Sequence, residues 1–290
     1  MRVAGFLFIR NAVRYDYPVR ESLSSLLPLC DEVIVSIGNS EDDTEGLVRS
    51  IGDPKIRIHH SIWDETLREG GKVLAVETDK AFDQVPPDAD WCVYLQADEV
   101  IHENDYAVIR ENMERYKNDP RVEGFLFRYR HFYGSYDYVG DSRRWYSHEI
   151  RIIRNDKRIR SYRDAQGFRK NGRKLNVKPV EAFIYHYGWV RHPSSQLQKH
   201  LDFEKLYNND KHAKEVLLRQ TEDFDYADID SLQKFTGTHP AVMQPLIGRK
   251  NWHFAIDIGK KRFSPKGWMH YWIERITGKR IFDYRNYKII

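Results

Sequence analysis

Two stretches of this chain end an apolar run on side chains that can hold a cation or move a proton. In the first, Trp91-Cys-Val-Tyr-Leu-Gln96-Ala-Asp98-Glu99, a strand pattern runs directly into acids. Ligands of open α/β sheets gather at the carboxyl ends of the strands. A carboxylate there can hold a hard divalent cation through oxygen, and the cation can bridge two phosphates. The plainer use of Asp98 is to cap the helix that follows. In the second stretch, Phe183-Ile-Tyr-His186-Tyr-Gly188-Trp189-Val-Arg191, an apolar strand delivers an imidazole beside a glycine, an indole and a guanidinium. A histidine among rings is commonly a structural group, yet imidazole is also an ordinary ligand for Mn²⁺. A third segment, Arg68-Glu-Gly-Gly-Lys72, precedes a helical pattern. Amides at a helix N-terminus, with Lys72 or Arg68, suit a diphosphate.

These groups need a frame, and the first half of the chain supplies one by alternating strand and helix patterns. Val3–Ile9 reads as a strand buried on both faces. A helix opens at Pro18, and strands follow at Glu32–Ile37, Lys55–His59 and Trp91–Leu95. Helices are predicted from Ser40, taken as an N-cap, to Ser50, then over Lys72–Phe82 and Asn104–Lys117. Short links between them predict a mostly parallel sheet with right-handed crossovers. Beyond residue 120, Gly124–Tyr133, Glu149–Arg154 and Ala182–Tyr187 read as strands, and a helix capped at Ser194 or Ser195 runs through Leu197, Leu201, Leu206 and Tyr207. The expected division is a domain over residues 1–195 and a mainly helical extension over 196–290 packed on it.

Composition limits the function. Of 290 residues 41% are hydrophobic, enough for a large buried core. The 47 basic and 43 acidic side chains make a mixed surface, which argues against nucleic acid as a partner. Cys30 and Cys92 lack metal-site spacing, which suits a reducing compartment. The apolar run before Arg10 is too short for a secretory leader, and no run approaches the ~18 residues of a membrane span. A cytoplasmic protein is expected.

The segment ending at Asp98 resembles the strand and DxD-type motif of family 2 glycosyltransferases, with Gln96 in place of the first acid. Val3–Ala12 resembles that family's first strand and nucleotide loop, and Val33–Leu47, with Ser40, Asp42 and Thr44, resembles its second strand and following turn. The resemblance implies a GT-A-like α/β fold, a mainly parallel sheet flanked by helices. It implies sugar transfer from a nucleotide-diphosphate donor to a hydroxyl of a glycan or lipid-linked acceptor, with inversion and with Mn²⁺ or Mg²⁺. On the same resemblance Asp98 and His186 are the metal ligands, and Arg10, Asn11, Asp42, Arg68, Lys72, Gln96 and Arg191 contact the donor. The acceptor base falls after the strand holding Arg151 and Arg154: Asp164, with Glu149 second.

A nucleotidyltransferase, or a nucleotide-sugar-binding protein without catalysis, would share a parallel sheet with acidic strand ends. Residues 9–16 contain no glycine, which disfavours the phosphate loop of a nucleotidyltransferase. The tail interleaves basic groups with rings through Lys260–Phe263, Lys266–Trp272 and Lys279–Arg285. Trp268, Met269, Trp272, Ile273 and Ile276 are expected to face the core, leaving at most a weak, salt-sensitive contact with a membrane surface.

Overall fold

The computed structural model describes residues 1–64, 66–67, 69–207 and 223–290. Its centre is a sheet begun by four parallel strands, β1 (Val3–Ile9), β2 (Glu32–Ile37), β3 (Ile56–His60) and β4 (Trp91–Tyr94). Their order is β3-β2-β1-β4, so β1 lies between β2 and β4. The chain winds one way from β1 to β3 and then returns to the other side of β1. That reversal leaves a crevice beyond the carboxyl ends of β1 and β4.

Side chains in these strands alternate between two cores, as the period of two requires. Val3, Leu7, Val33, Val35, Trp91 and Val93 pack on one face with Leu23 and Leu26 of α1 (Val19–Leu26), Val48 of α2 (Thr44–Arg49) and Ile109 and Met113 of α4 (Tyr106–Arg115). Ala4, Phe6, Ile34, Cys92 and Tyr94 pack on the other with Val73, Leu74, Ala81 and Phe82 of α3 (Lys72–Asp83). The expected α/β sheet flanked by helices is therefore present.

The sheet is mixed, however. Beyond β4 it continues through β8 (His148–Arg154), β6 (Gly124–Tyr133) and β11 (Arg173–Trp189), and both β4–β8 and β6–β8 are antiparallel. Short strands that periodicity did not reveal complete it: β5 (Glu99–Ile101), β7 (Ser135–Gly140), β9 (Ile159–Tyr162) and β10 (Gly167–Lys170). The segment after 195 is not helical alone. Besides α5 (Pro193–Tyr207), α6 (Gln244–Gly248) and α7 (Pro265–Thr277) it supplies β12 (Leu232–Lys234), paired with β7, and β13 (Tyr287–Ile289), paired with β11. The boundary expected at 195 falls inside α5. Ser40 does not cap α2. Asp43 does, accepting from the Gly46 amide at 3.0 Å, while Ser40 Oγ accepts from the Asn11 amide at 3.1 Å.

Two arginines of β8 fix the two ends of β4, Arg151 the turn that ends it and Arg154 its start. Arg151 donates to both carboxylate oxygens of Glu99, at 2.7 and 2.8 Å, and neither side chain is more than 1% exposed. Tyr129 Oη and the Gln96 amide donate to the same carboxylate at 2.8 and 3.1 Å. Arg154 lies 4.2 Å over the Trp91 ring and donates to the carbonyls of Tyr116, Lys117, Asp119 and Val122, tying the end of α4 to the sheet. Removing one partner of a buried ion pair strands the other charge. Glu99→Gln should therefore cost about 3–5 kcal/mol, measured by urea unfolding. A loss under ~1 kcal/mol would refute this role.

Candidate functional site

The crevice between β1 and β4 opens into a cavity of about 1080 Å³. Arg10 and Asn11 reach it from the end of β1, Gln96 and Asp98 from the end of β4, Lys72 from the start of α3, Asp164 from the β9–β10 turn, and His186 from β11. The fold thus brings together seven of the residues expected to act, although they span most of the chain. Arg68 lies outside the described residues.

The other three expected residues do not line the cavity. Asp42 binds its own turn, accepting from the Arg14 amide at 2.7 Å and the Thr44 amide at 3.0 Å, and bonding the Thr44 hydroxyl. Glu41 lines the wall instead, its amide donating to Asn11 Oδ1 at 2.7 Å. Arg191 has no exposed surface. It donates to the carbonyls of Tyr15 and Gly188 at 2.7 and 3.1 Å, which makes it a strut behind the wall. Glu149 is 3% exposed and turns toward Gly167 and Asn286.

Asp98 lies at the centre of the site. Its Oδ2 is 3.2 Å from Lys199 Nζ and 3.9 Å from Arg191, and its Oδ1 is 3.7 Å from His186 Nε2. Burial pushes its pKa up, but the surrounding positive charges, Lys199 foremost, bring it down to about 2. Lys199 is brought down to about 8, by burial first and by Arg191 second, with Asp98 opposing. Both groups are charged at neutral pH. Gly188 makes this packing possible, because a Cβ there would sit 2.5 Å from His186 Nε2 and 2.9 Å from Asp98 Oδ2.

The proton arrangement on His186 follows from its neighbours. His131 Nε2 lies 2.9 Å from the Tyr146 carbonyl, to which it must donate, and His131 Nδ1 lies 3.0 Å from His186 Nδ1. Burial lowers the pKa of both rings, so both are neutral at pH 7. His186 Nδ1 therefore donates to His131, and its Nε2 lone pair faces Asp98 Oδ1. A lone pair and a carboxylate oxygen 3.7 Å apart suit two donors around one cation with bonds of about 2.1–2.3 Å. Among the described residues no group of three or more His, Cys, Asp or Glu side chains is placed to hold a metal, so further ligands would come from the bound substrate.

Among the described residues four carboxylates line the cavity. Asp98 faces the cations described above. Glu41 pairs with Arg14 at 2.7 Å, and Asp202 accepts from Tyr15 Oη at 3.0 Å and Gln198 at 2.9 Å. Asp164 sits between Arg163 (φ 58°) and Ala165 (φ 63°), two non-glycine residues in the left-handed region. Such backbone costs free energy and persists where the surroundings impose it.

Helix α5 was expected, but the part its polar face plays in the cavity was missed. Gln196, Lys199, His200, Asp202 and Phe203 all line the cavity from it. The spacing 196, 199, 200 and 203 is one helical face, and a polar face carrying a lysine was the available signal.

No family model and no curated protein matches the sequence. Among solved structures, S. aureus TarS aligns over 75% of this chain at 15% identity with a TM-score of 0.40. This chain spans 42% of that TarS chain, under half its length. Glucosyl-3-phosphoglycerate synthase from Mycobacterium tuberculosis, solved with Mn²⁺, UDP and phosphoglyceric acid, aligns over 46% of this chain and 43% of its own, at 19% identity and a TM-score of 0.29. The 4-diphosphocytidyl-2C-methyl-D-erythritol synthase of Anaerococcus prevotii DSM 20548 aligns over 53% and 70%, at 12% identity and 0.32. The likeness concerns the α/β layout alone.

Glu149 gives a prediction that tests its burial. Burial, against Arg151, raises its pKa from 4.5 to about 8, so the folded chain holds a proton that the unfolded chain has released. Stability should then fall as pH rises from about 4.5 to 8, because the folded state binds more protons there. Glu149→Gln should flatten that fall and stabilise the protein by about 2–4 kcal/mol near pH 9. Equal urea midpoints for both proteins at every pH would show Glu149 to be solvated.

Proposed function

We propose that the cavity binds a nucleotide-diphosphate sugar with a divalent cation and transfers the sugar to an acceptor hydroxyl, with inversion. The observation that carries this reading is the meeting of Asp98 Oδ1 and His186 Nε2 at the carboxyl end of β4, in a cavity also lined by Lys199, Lys72 and Arg10. One carboxylate oxygen and one imidazole lone pair suit Mn²⁺ or Mg²⁺, and the other carboxylate oxygen stays with Lys199. A cation held by Asp98 and His186 would supply positive charge to stabilise a leaving diphosphate.

The chain's own groups do the rest. Lys72 follows Gly70 and Gly71, whose positive φ values of 60° and 69° shape the entry to α3 and let backbone amides approach phosphate. Gln96 can hydrogen-bond a ribose without adding charge beside Asp98. Asp164 takes the acceptor proton as the hydroxyl oxygen bonds the anomeric carbon and the bond from that carbon to the diphosphate breaks. A protein that only bound the nucleotide sugar would have no use for Asp164 held between two left-handed residues.

Asp98→Asn should abolish transfer and keep the fold, with a lowered melting temperature because the buried Lys199 ammonium loses its carboxylate. Calorimetric titration with UDP, GDP, CMP and dTDP sugars, with and without Mn²⁺, would identify the donor. Wild-type turnover in Asp98→Asn at limiting metal would end this reading. Asp164→Asn should lower kcat by about 10²–10⁴-fold and keep the donor Kd. An unchanged kcat would move the proton-accepting role to another group.

A further inference from the structure

Charge is divided unevenly along this chain. Residues 260–290 hold nine Lys and Arg against two acids, a net +7, whereas residues 1–259 carry 38 against 41, a net −3. The basic stretch contains α7, which starts under Ser264, whose Oγ accepts from the Gly267 amide at 3.1 Å, and stops at Gly278 with φ 66°.

One face of α7 is fixed to the body. Glu274 accepts from Arg280 at 2.6 Å and pairs with Arg143 at 3.5 Å. Arg280 in turn donates to the carbonyls of Trp145 and Ser142 at 2.8 and 3.1 Å. Asp283, the other acid of the stretch, lies 3.7 Å from Arg143 and 3.8 Å from Arg280. Both acids are therefore turned inward and neutralised.

The opposite face cannot then rotate into the core, and it is apolar. Trp268, Met269, Trp272 and Ile276 stand at i, i+1, i+4 and i+8, one stripe about 100° wide, and are 37, 50, 53 and 79% exposed. No residue of α7 is buried. This corrects the expectation for Met269, Trp272 and Ile276, while Ile273 is half-buried and Trp268, at the edge of the stripe, leans on Phe263 at 5.2 Å; the inner positions are taken by Glu274 and by Tyr271, whose ring lies 5.3 Å from Phe263. Lys266 and Arg275 lie at the two edges of the stripe, Lys279 lies past its end, and all three are exposed.

We propose that α7 docks this protein on an anionic lipid surface, with the stripe entering the headgroup boundary and the basic rim meeting lipid phosphate. Indole rings favour that boundary, basic side chains are drawn to anionic lipid, and a helix with this division of faces lies in the interface plane. A diffuse sheet of negative charge suits a rim that is positive throughout, since its acids are consumed internally. The helix is also joined to the cavity, because Arg280 holds the Trp145 carbonyl and the next residue, Tyr146, lines the wall. The proposal does not depend on what the cavity transfers.

The test is sedimentation of the full chain with vesicles of phosphatidylcholine, alone or mixed with phosphatidylglycerol, together with tryptophan fluorescence. The wild type should pellet only with the anionic vesicles, shift its emission to the blue on binding, and be released by high salt. Trp268→Ser combined with Trp272→Ser and Ile276→Ser, and separately Lys266→Glu with Lys279→Glu, should each weaken binding at least about tenfold without lowering the melting temperature. The proposal fails if the wild type stays in the supernatant with both vesicles. It also fails if neither variant binds more weakly, or if the stripe holds a dimer in ultracentrifugation that the serine variant dissolves while lipid binding is absent.

Discussion

Glu99 and its neighbour Asp98 are consecutive carboxylates on one tight turn, and the structure depends on keeping their charges apart. Glu99 points into the sheet, where the forked guanidinium of Arg151 takes both its oxygens. Asp98 points toward the cavity, where Lys199, Arg191 and His186 surround it. Two like charges so close would repel strongly at low dielectric. Each has its own cation, supplied by a different part of the chain, and this fixes the turn from both sides. Ser22 and Ser25 of α1 hold the same turn from below, through the Gln96 carbonyl and the Ile101 amide at 3.1 Å each.

The cavity wall follows from that turn. The Asp98 carbonyl accepts from the Tyr187 amide at 2.8 Å, which aligns β11 so that His186 faces the carboxylate. Gly188 lets the two approach, and the Gly188 carbonyl accepts from both Arg191 and Lys199. Lys199 lies 4.8 Å from the Tyr17 ring and 5.3 Å from the Phe203 ring, so an otherwise costly buried ammonium is held by two aromatic faces and a carboxylate. The arrangement is a charged centre held in place by the fold itself. Asp164, delivered by a separate turn under backbone strain, approaches the same cavity from the β9–β10 connection.

The sequence alone determined the parallel strands, because residues buried on both faces leave continuous apolar runs such as Val3–Ile9 and Glu32–Ile37, and these match the observed limits. It also placed Asp98 at a strand end and His186 on a late strand, since a polar group closing an apolar run is visible locally. Tertiary structure decided the rest. The three-residue strands β5, β12 and β13 are too short to show a period, and exist because a neighbouring edge offers hydrogen bonds. Whether Arg191 faced substrate or braced the wall, and whether Asp42 reached the cavity or capped its own turn, depended on partners distant in sequence. Lys199 pairs with a carboxylate 101 positions away, and the outward turn of Trp272 follows from Glu274 meeting Arg143 and Arg280. Hydrophobic pattern fixes which residues leave water, but the pairing of buried charges is a property of three-dimensional proximity, and no local spacing encodes it.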